Sequence, residues 1–212
     1  NFNSNVFLKC GDNLNYIELG YNLTTPVINS ADMQNLKLND TLRLILTQTG
    51  TYNINSEHFK NYTLNSELCL YFSQASTFNI NSEHFKNYNI KKYYVIIDII
   101  SQNVIITISR SDFSAFTRIE NFIFSAGLTT DEVDNILKGL YDALILKTNV
   151  GGKIQLGGLT NAPPSGTYQK PANRLIGPVT GKEAAYELIN DSFGRTTNEW
   201  EIIAVKGEIY EK

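Results

Sequence analysis

The first side chains that suggest chemistry are two histidines, His58 and His84, each directly preceded by a glutamate. Imidazole and carboxylate groups are common zinc ligands and common general acids and bases. Both pairs, however, lie within one ten-residue block, Asn-Ile-Asn-Ser-Glu-His-Phe-Lys-Asn-Tyr, which occurs unchanged at 53–62 and at 79–88. No cysteine or second carboxylate repeats beside them, and duplication explains their matching positions. We therefore predict no metal site and no cofactor, and we assign the glutamates to helix starts, where the helix dipole favours them.

Three aspartates, Asp12, Asp98 and Asp112, are further candidates, because two carboxylates across a groove can cleave a glycosidic bond. Nothing in their spacing separates them from solvated loop acids. The stretch from Gly177 to Lys182 resembles a phosphate-binding loop, but its first glycine is wrongly spaced and no Ser or Thr follows the lysine. No Gly-x-Ser-x-Gly nucleophile motif occurs. The sequence therefore predicts a chain that is not an enzyme, and a glycan-degrading enzyme is only the third hypothesis.

Composition excludes several other classes of function. The chain has 212 residues, of which 42% are hydrophobic, which is enough for the core of one domain. The net charge of −3 argues against nucleic-acid binding, which needs basic residues to displace counterions from phosphate. No apolar run approaches the roughly 20 residues of a membrane-spanning helix, so we predict no membrane insertion. Cys10 and Cys69 have no metal-ligand spacing and predict no disulfide framework.

The duplicated block belongs to a longer repeat of 26 residues. One unit earlier, Ile54 corresponds to Ile28 and Phe59 to Met33, so the chemical type is kept while the letters diverge. The apolar runs after the blocks keep the same spacing: Leu42–Leu46, Leu68–Phe72 and Tyr94–Ile97. A fourth copy of the block itself, Thr107–Phe116, follows the copy at 79–88 at an offset of 28 residues. Self-similarity at such a period is typical of solenoid proteins, whose units bury their apolar faces against each other.

Each unit combines two predicted elements. The apolar run, rich in β-branched and aromatic residues, predicts a strand. The Ile-x-Ser segment that follows predicts the start of a short helical turn, with Ser30, Ser56 and Ser82 as N-cap residues. A strand and a short helical turn every 20–29 residues is the plan of leucine-rich repeats. We therefore predict an α/β fold, a leucine-rich-repeat-like solenoid with repeats of about 26 residues over residues 1–126.

From Gly127 the pattern changes. Thr129-Thr-Asp-Glu is a capping-box sequence, and the apolar residues after it follow helical spacing. The sequence then predicts a strand at Lys153–Leu156, a second helix at Lys182–Asn190 and a last strand at Trp200–Val205. Terminal repeats of solenoids are atypical because they close the open end of the core. Residues 127–212 are therefore predicted to form a C-terminal cap that continues the solenoid.

Four segments of this cap resemble a known group of proteins. They read Thr130-Asp-Glu-Val-Asp-Asn-Ile-Leu, then Gly152-Lys-Ile-Gln-Leu-Gly-Gly-Leu-Thr-Asn-Ala-Pro-Pro-Ser-Gly, then Gly181-Lys-Glu-Ala-Ala-Tyr-Glu-Leu and Trp200-Glu-Ile-Ile. Together they resemble the closing region of leucine-rich-repeat proteins from Bacteroidetes phages and their hosts. The resemblance covers the last part of the chain well and the repeats loosely. It implies the same architecture and no catalytic residue. The loop between Thr167 and Thr180 is longer than such turns usually are.

The resemblance and the repeats together imply a non-enzymatic structural or binding component of a phage virion, of tail, fibre or spike type. Its expected partners are other virion proteins or a host-surface receptor or polysaccharide, and the chain could form a homo-oligomer. The alternative is a bacterial cell-surface or secreted adhesion protein with the same repeats. The predicted contact site lies in the long loop, because tyrosine and amide side chains suit recognition surfaces: Tyr168, Gln169, Lys170, Asn173 and Arg174.

Overall fold

The fold was analysed in a computed structural model of the chain. Eleven segments of the chain are described by the structure: residues 14–19, 27–47, 50–73, 77–97, 104–117, 119–144, 152–157, 161–173, 176–190, 200–203 and 209–210. They form two β-sheets, four 3₁₀ turns and two α-helices. The α/β class, with parallel sheets and two helices, is therefore confirmed.

The larger sheet has eight strands, and all neighbouring pairs in it are parallel except the last. Among the first nine strands, the odd-numbered ones belong to this sheet and the even-numbered ones to the other, so the chain alternates between the two sheets. Its strands, in spatial order, are β1 (Leu14–Leu19), β3 (Leu38–Leu46), β5 (Glu67–Phe72), β7 (Lys92–Ile97), β9 (Asn121–Ser125), β10 (Gly152–Gln155), β11 (Trp200–Ile203) and β12 (Ile209–Tyr210).

The smaller sheet is parallel and has four strands, β2 (Val27–Asn29), β4 (Thr51–Asn55), β6 (Thr77–Asn81) and β8 (Val104–Thr107). A 3₁₀ turn follows each of these strands: Ser30–Met33, Ser56–Phe59, Ser82–Phe85 and Arg110–Phe113, here called the first to fourth turns. The two helices are α1 (Thr130–Leu144) and α2 (Gly181–Asn190). Neither of these described helices combines the length and apolar character that crossing a bilayer requires.

Successive segments are neighbours in the large sheet. The predicted alignment of Tyr94 with Leu68 is wrong by one residue, because Leu68 pairs with Tyr93. Leu44 pairs with Leu70, Leu70 with Val95, and Val95 with Phe124, and all four side chains are fully buried. Adjacent strands lie about 4.8 Å apart, so this row is a continuous apolar column. In the small sheet, alternation along β4 buries Tyr52 and Ile54 and exposes Thr51 and Asn53. The inward faces of both sheets thus share one core.

Two tyrosines add polar links to this core. The Tyr62 hydroxyl donates a hydrogen bond to the Met33 carbonyl oxygen at 2.7 Å, and the Tyr88 hydroxyl donates to the Phe59 carbonyl oxygen at 2.5 Å. Both phenols are buried, and burial raises their pKa values because the charged phenolate would lose its hydration. Each tyrosine therefore links its own segment to the last residue of the 3₁₀ turn in the segment before it.

The predicted serine caps are wrong by one residue. The N-cap residues of the second and third turns are Asn55 and Asn81, whose side-chain oxygens accept from the backbone amides of Glu57 and Glu83. The serine after each asparagine is buried instead. Ser56, for example, accepts from the backbone N–H of Asn81 in the next segment at 2.9 Å. The asparagine takes the cap because its longer side chain reaches the turn amide, while the hydroxyl serves the neighbouring segment.

The predicted elements beyond Gly127 are present where the structure describes the chain. The predicted capping box is confirmed, since the Thr129 amide donates to Glu132 Oε2 at 2.8 Å. The division into residues 1–126 and 127–212 stays a prediction. The two sides are joined directly, because β9 and β10 pair in parallel with Phe122 opposite Ile154.

A buried asparagine holds this junction together. Asn161 is 2% exposed and makes four hydrogen bonds. Its side-chain oxygen accepts from the amides of Ala126 and Leu128 at 3.1 and 3.0 Å. Its side-chain nitrogen donates to the carbonyl oxygens of Phe124 and Leu156, both at 2.8 Å. This amide therefore satisfies the backbone where β9 ends and where the chain leaves β10.

Candidate functional site

The segment between β10 and α2 carries the predicted contact residues. We call its described part, residues 161–173 and 176–180, the proline loop. It contains four prolines, and three of them, Pro164, Pro171 and Pro178, are buried. Proline fixes one backbone dihedral, so buried prolines hold a segment without regular secondary structure in one position. The loop is therefore anchored along its length.

Hydrogen bonds to helix α1 fix the start of the loop. Asp134, which is buried in α1, accepts from the backbone N–H of Ser165 at 2.9 Å and also from the Ser165 hydroxyl. Gly181, at the first position of α2, lies so close that a Cβ atom there would be 2.2 Å from Asp134 Oδ1. Gly166, which follows Ser165 in the loop, has φ +84°, a backbone conformation that residues with a Cβ atom rarely adopt. One carboxylate thus joins α1, the loop and α2.

The end of the loop is fixed by helix α2 itself. Glu183 Oε2 accepts from the backbone amides of Val179 and Thr180 at 2.9 and 3.3 Å. Thr180 Oγ1 in turn accepts from the amide of Glu183 at 3.3 Å. These reciprocal bonds form a capping box, which satisfies backbone donors that a helix start leaves free.

The predicted contact residue Tyr168 serves as an anchor. Its ring stacks on Tyr210 with centroids 4.6 Å apart and meets the edge of Tyr186 at 5.3 Å. Asn190 Nδ2 donates to the Tyr168 hydroxyl at 3.1 Å, and burial raises the pKa of this phenol. The exposed face of the loop therefore depends on other side chains.

Three predicted contact residues, Gln169, Lys170 and Asn173, are exposed on the loop. Arg174 lies outside the described residues. Sequence reasoning missed two exposed aliphatic side chains in the same loop, Ile176 and Val179, which are 68% and 63% exposed. A signal was present, because both flank Gly177-Pro178 in a loop where no helical or strand periodicity requires an apolar residue. Two exposed aliphatic residues three positions apart on a fixed backbone can supply the apolar centre of an interface.

The two histidines lie in the second and third 3₁₀ turns and have structural partners. His58 Nδ1 lies 2.7 Å from Ser30 Oγ, and His84 Nδ1 lies 2.8 Å from Ser56 Oγ. Burial lowers the pKa of His84, because the charged imidazolium loses hydration there. Within the described segments, no three His, Cys, Asp or Glu side chains come together in a way that could hold a metal ion.

Of the three candidate acids, Asp112 lies in the described part of the chain. It occupies the position of His84 in the next segment, is 5% exposed, and its Oδ2 accepts from Ser82 Oγ at 2.5 Å and from the Ser109 amide at 2.8 Å. Asp12 and Asp98 lie outside the described residues. The carboxylate of Asp112 is thus committed to the fourth turn and its neighbour.

Comparisons of the chain with models of known protein families, with curated proteins and with solved structures found no match. The function must therefore be argued from the geometry of the chain itself. That geometry offers an anchored loop with exposed aliphatic side chains and, apart from it, a row of polar 3₁₀ turns.

Proposed function

We propose that this chain is a non-enzymatic binding protein, built as a leucine-rich-repeat-like solenoid, that holds a protein partner through the proline loop. One observation carries the proposal. The loop is fixed by buried prolines, by Asp134 and by the capping box of α2, yet it exposes Ile176 and Val179. An apolar side chain in water is unfavourable, so its exposure on a fixed loop favours a role in binding.

The solenoid part of the proposal is supported by strand order. In both sheets, segments one repeat apart are direct neighbours, as Leu44 and Leu70 are in the large sheet and Ile54 and Phe78 in the small sheet. The 3₁₀ turns of successive segments also contact each other. Stacked units of this kind give a stiff support for a loop at one end.

The chemistry of the loop favours a protein as the partner. Interface centres are apolar and their rims are polar, and the exposed residues of the loop combine Ile176 and Val179 with Gln169, Lys170 and Asn173. The ring of Tyr168, which could otherwise lie flat on a sugar, is covered by Tyr210. A fixed loop also loses little conformational entropy on binding, so fewer contacts suffice for affinity.

The setting that we propose is a phage virion, in which the partner is another virion protein or a protein of the host surface. The support is the similarity of the cap to phage leucine-rich-repeat proteins, together with a loop suited to contact. The alternative setting is the surface or secretions of a bacterium. In both, the chain acts by binding. The hydrogen bonds that occupy Asp112 support this view over glycan cleavage.

The test uses the full chain in two assays. The first asks whether the protein is present in purified phage particles, by mass spectrometry and immunogold labelling. The second measures binding of the fluorescently labelled chain to Bacteroidetes host cells, before and after treatment of the cells with protease or with periodate. Ile176→Lys is compared with Ile105→Lys, a matched control, since Ile105 is 60% exposed on the small sheet.

We expect the protein in particles, binding to intact cells, or both. Where cell binding occurs, Ile176→Lys should weaken it at least tenfold and Ile105→Lys by less than twofold, and protease treatment should abolish it. Absence from particles together with no cell binding would refute the proposal, as would equal effects of the two substitutions. Binding abolished by periodate alone would refute the choice of a protein partner. Release of reducing ends from host polysaccharide would refute the non-enzymatic assignment.

A further inference from the structure

A second surface, on the side of the 3₁₀ turns, has features of a ligand site. An open recess of about 290 Å³ lies between the first and second turns. Its lining is polar and consists of Gln34, Asn35, Glu57, His58, Lys60 and Asn61. One repeat later, the same positions carry Lys60, Asn61, Glu83, His84, Lys86 and Asn87. We call these two sets together the turn strip.

Each histidine ring of the turn strip lies against a buried serine of the preceding segment. Ser30 Oγ accepts from the Asn55 amide at 2.8 Å, so its own hydrogen points elsewhere, and His58 Nδ1 at 2.7 Å is nearer than the Asn55 carbonyl oxygen at 3.3 Å. A neutral imidazole that accepts at Nδ1 carries its hydrogen on Nε2. Ser56 and His84 repeat the arrangement. Each ring is held at Nδ1 and presents Nε2 to a ligand, as a donor in this tautomer and as an acceptor in the other.

The charges of the turn strip cancel locally. Lys60 Nζ lies 3.2 Å from Glu57 Oε1, and Lys86 Nζ lies 3.1 Å from Glu83 Oε1. The side chains of these pairs are about half exposed, so they still have free donor and acceptor sites. A strip with balanced charges and many hydrogen-bonding groups favours a neutral ligand over an anion or a cation. Hydroxyl groups, which donate and accept, match it best.

The spacing of the turns along the strip indicates the length of the repeating unit that a ligand should have. The second and third turns follow neighbouring strands β4 and β6, which are parallel, and such strands lie about 4.8 Å apart. The rise of one sugar in an extended β-linked glycan is similar. Two turns of identical sequence therefore place donors and acceptors at a spacing that suits two consecutive sugars.

We propose that the turn strip binds a neutral, extended polysaccharide, with consecutive sugars against consecutive 3₁₀ turns. This inference goes beyond the proposed function and does not depend on it, because the proline loop takes no part. The recess is open and no Phe, Tyr or Trp lines it, so affinity arises from binding at both turns together.

The test follows the two histidine rings by NMR, since the sequence contains only these two. The intact chain is titrated with neutral β-linked hexasaccharides of glucose, mannose and N-acetylglucosamine, with the matching disaccharides, and with an anionic hexagalacturonate. Three variants are compared: the double change His58→Ala with His84→Ala, the double change Asn61→Ala with Asn87→Ala, and Lys170→Ala. Both asparagine side chains are exposed on the surface of the turns, so this second variant should keep the fold.

We expect at least one neutral hexasaccharide to shift both rings in a saturable way, and to bind at least tenfold more tightly than its disaccharide. Both double variants should bind at least fivefold more weakly, as read from backbone amides, while Lys170→Ala should change binding less than twofold. No shift with any neutral hexasaccharide at millimolar concentration would overturn the proposal. Equal or tighter binding of the anionic hexamer would also overturn it, as would unchanged binding by the asparagine variant. Because Lys170 belongs only to the proline loop, failure here leaves the protein-binding proposal standing.

Discussion

The repeated segments and the closing region are stabilised in different ways. In the repeats, each segment contributes the same small set of links, such as Tyr88 to Phe59 and Ser56 to Asn81, and each set serves only the adjacent segment. In the closing region, single residues such as Asn161 and Asp134 join several elements at once. Loss of a link in the repeats should therefore be tolerable, whereas loss of one residue in the closing region should not.

The largest effect is expected for Asn161→Ala. The change leaves two buried amides and two buried carbonyl oxygens without their partner, and each unsatisfied group costs about 1–3 kcal/mol. Partial access of water reduces the sum, so we expect a loss of about 3–5 kcal/mol in the free energy of unfolding, measured by urea denaturation. The matched change in the repeats is Asn55→Ala, which removes one cap bond and should cost about 1 kcal/mol. Equal costs at the two positions would contradict the comparison.

Gly139→Ala should have the next largest effect, because helix α1 packs closely on the fourth turn. A Cβ atom at this position would be 2.3 Å from the Arg110 carbonyl oxygen and 2.7 Å from the Phe113 ring. The helix must move away, although alanine favours helix formation, so we expect a net loss of about 2–3 kcal/mol. Lys138→Ala, on the same helix, is the control and should cost less than about 0.5 kcal/mol. A neutral or stabilising Gly139→Ala would show that α1 does not pack on the turn.

Two buried tyrosines in the repeats allow a matched pair of changes. Tyr88→Phe removes a hydrogen bond and leaves the Phe59 carbonyl oxygen without its phenol donor, which should cost about 1–2 kcal/mol. Tyr93 is also buried, and its ring stacks on Phe122 at 4.7 Å, but its hydroxyl finds no hydrogen-bond partner among the described residues. Tyr93→Phe should therefore be neutral or stabilise the fold by up to about 1 kcal/mol. Thermal unfolding of both variants measures the difference, and the opposite order would refute these assignments.

The smallest effect concerns pH and the His84 ring, which is faced by Glu57, Glu83, Lys60 and Asp112. Burial sets its pKa below the value of 6.5 that it has in the unfolded chain. As the pH falls, the His84 ring therefore binds a proton in the unfolded chain before it does so in the folded chain. The free energy of unfolding that this ring contributes is fully present above pH 6.5 and is lost as the pH falls below that value. The ring is only partly buried, so solvent screening limits the loss to less than about 1 kcal/mol.

Urea unfolding at pH 8 and pH 5.5 isolates this contribution of His84. The pKa of Glu57 is lowered by its hydrogen bond to Lys60, so this carboxylate becomes protonated only at lower pH. The pH-dependent part of the stability should shrink in His84→Gln. A stability that rises on acidification in this range would contradict the assigned direction of the shift.

The repeated region was predictable in part, and the closing region in outline. The apolar runs predicted strands of the large sheet, and helical spacing predicted α1 and α2. The prediction of one strand and one helical turn in each repeat was wrong, because each repeat also contributes a strand to the small sheet, such as β4 and β6, from a segment that is mostly polar. Sequence reasoning placed the turn caps on serine, because Asn and Ser both suit that position. It could not find the roles of Asn161 or Asp134, because these depend on contacts 31–37 residues away along the chain. The exposure of Ile176 and Val179 likewise depends on how the prolines are buried.

The central claim is that successive 26-residue segments stack as direct neighbours and so form the proposed solenoid. It is tested most directly by disulfide formation between paired cysteines, with Cys10 and Cys69 replaced by serine. Asn53→Cys with Thr77→Cys places two cysteines opposite each other on β4 and β6, at a Cα separation that suits a disulfide. Asn53→Cys with Ile105→Cys places them two strands apart, since β6 lies between β4 and β8. We predict rapid, complete cross-linking of the first pair and none of the second. Failure of the first pair to close, or equal rates for both, would contradict the stacked arrangement.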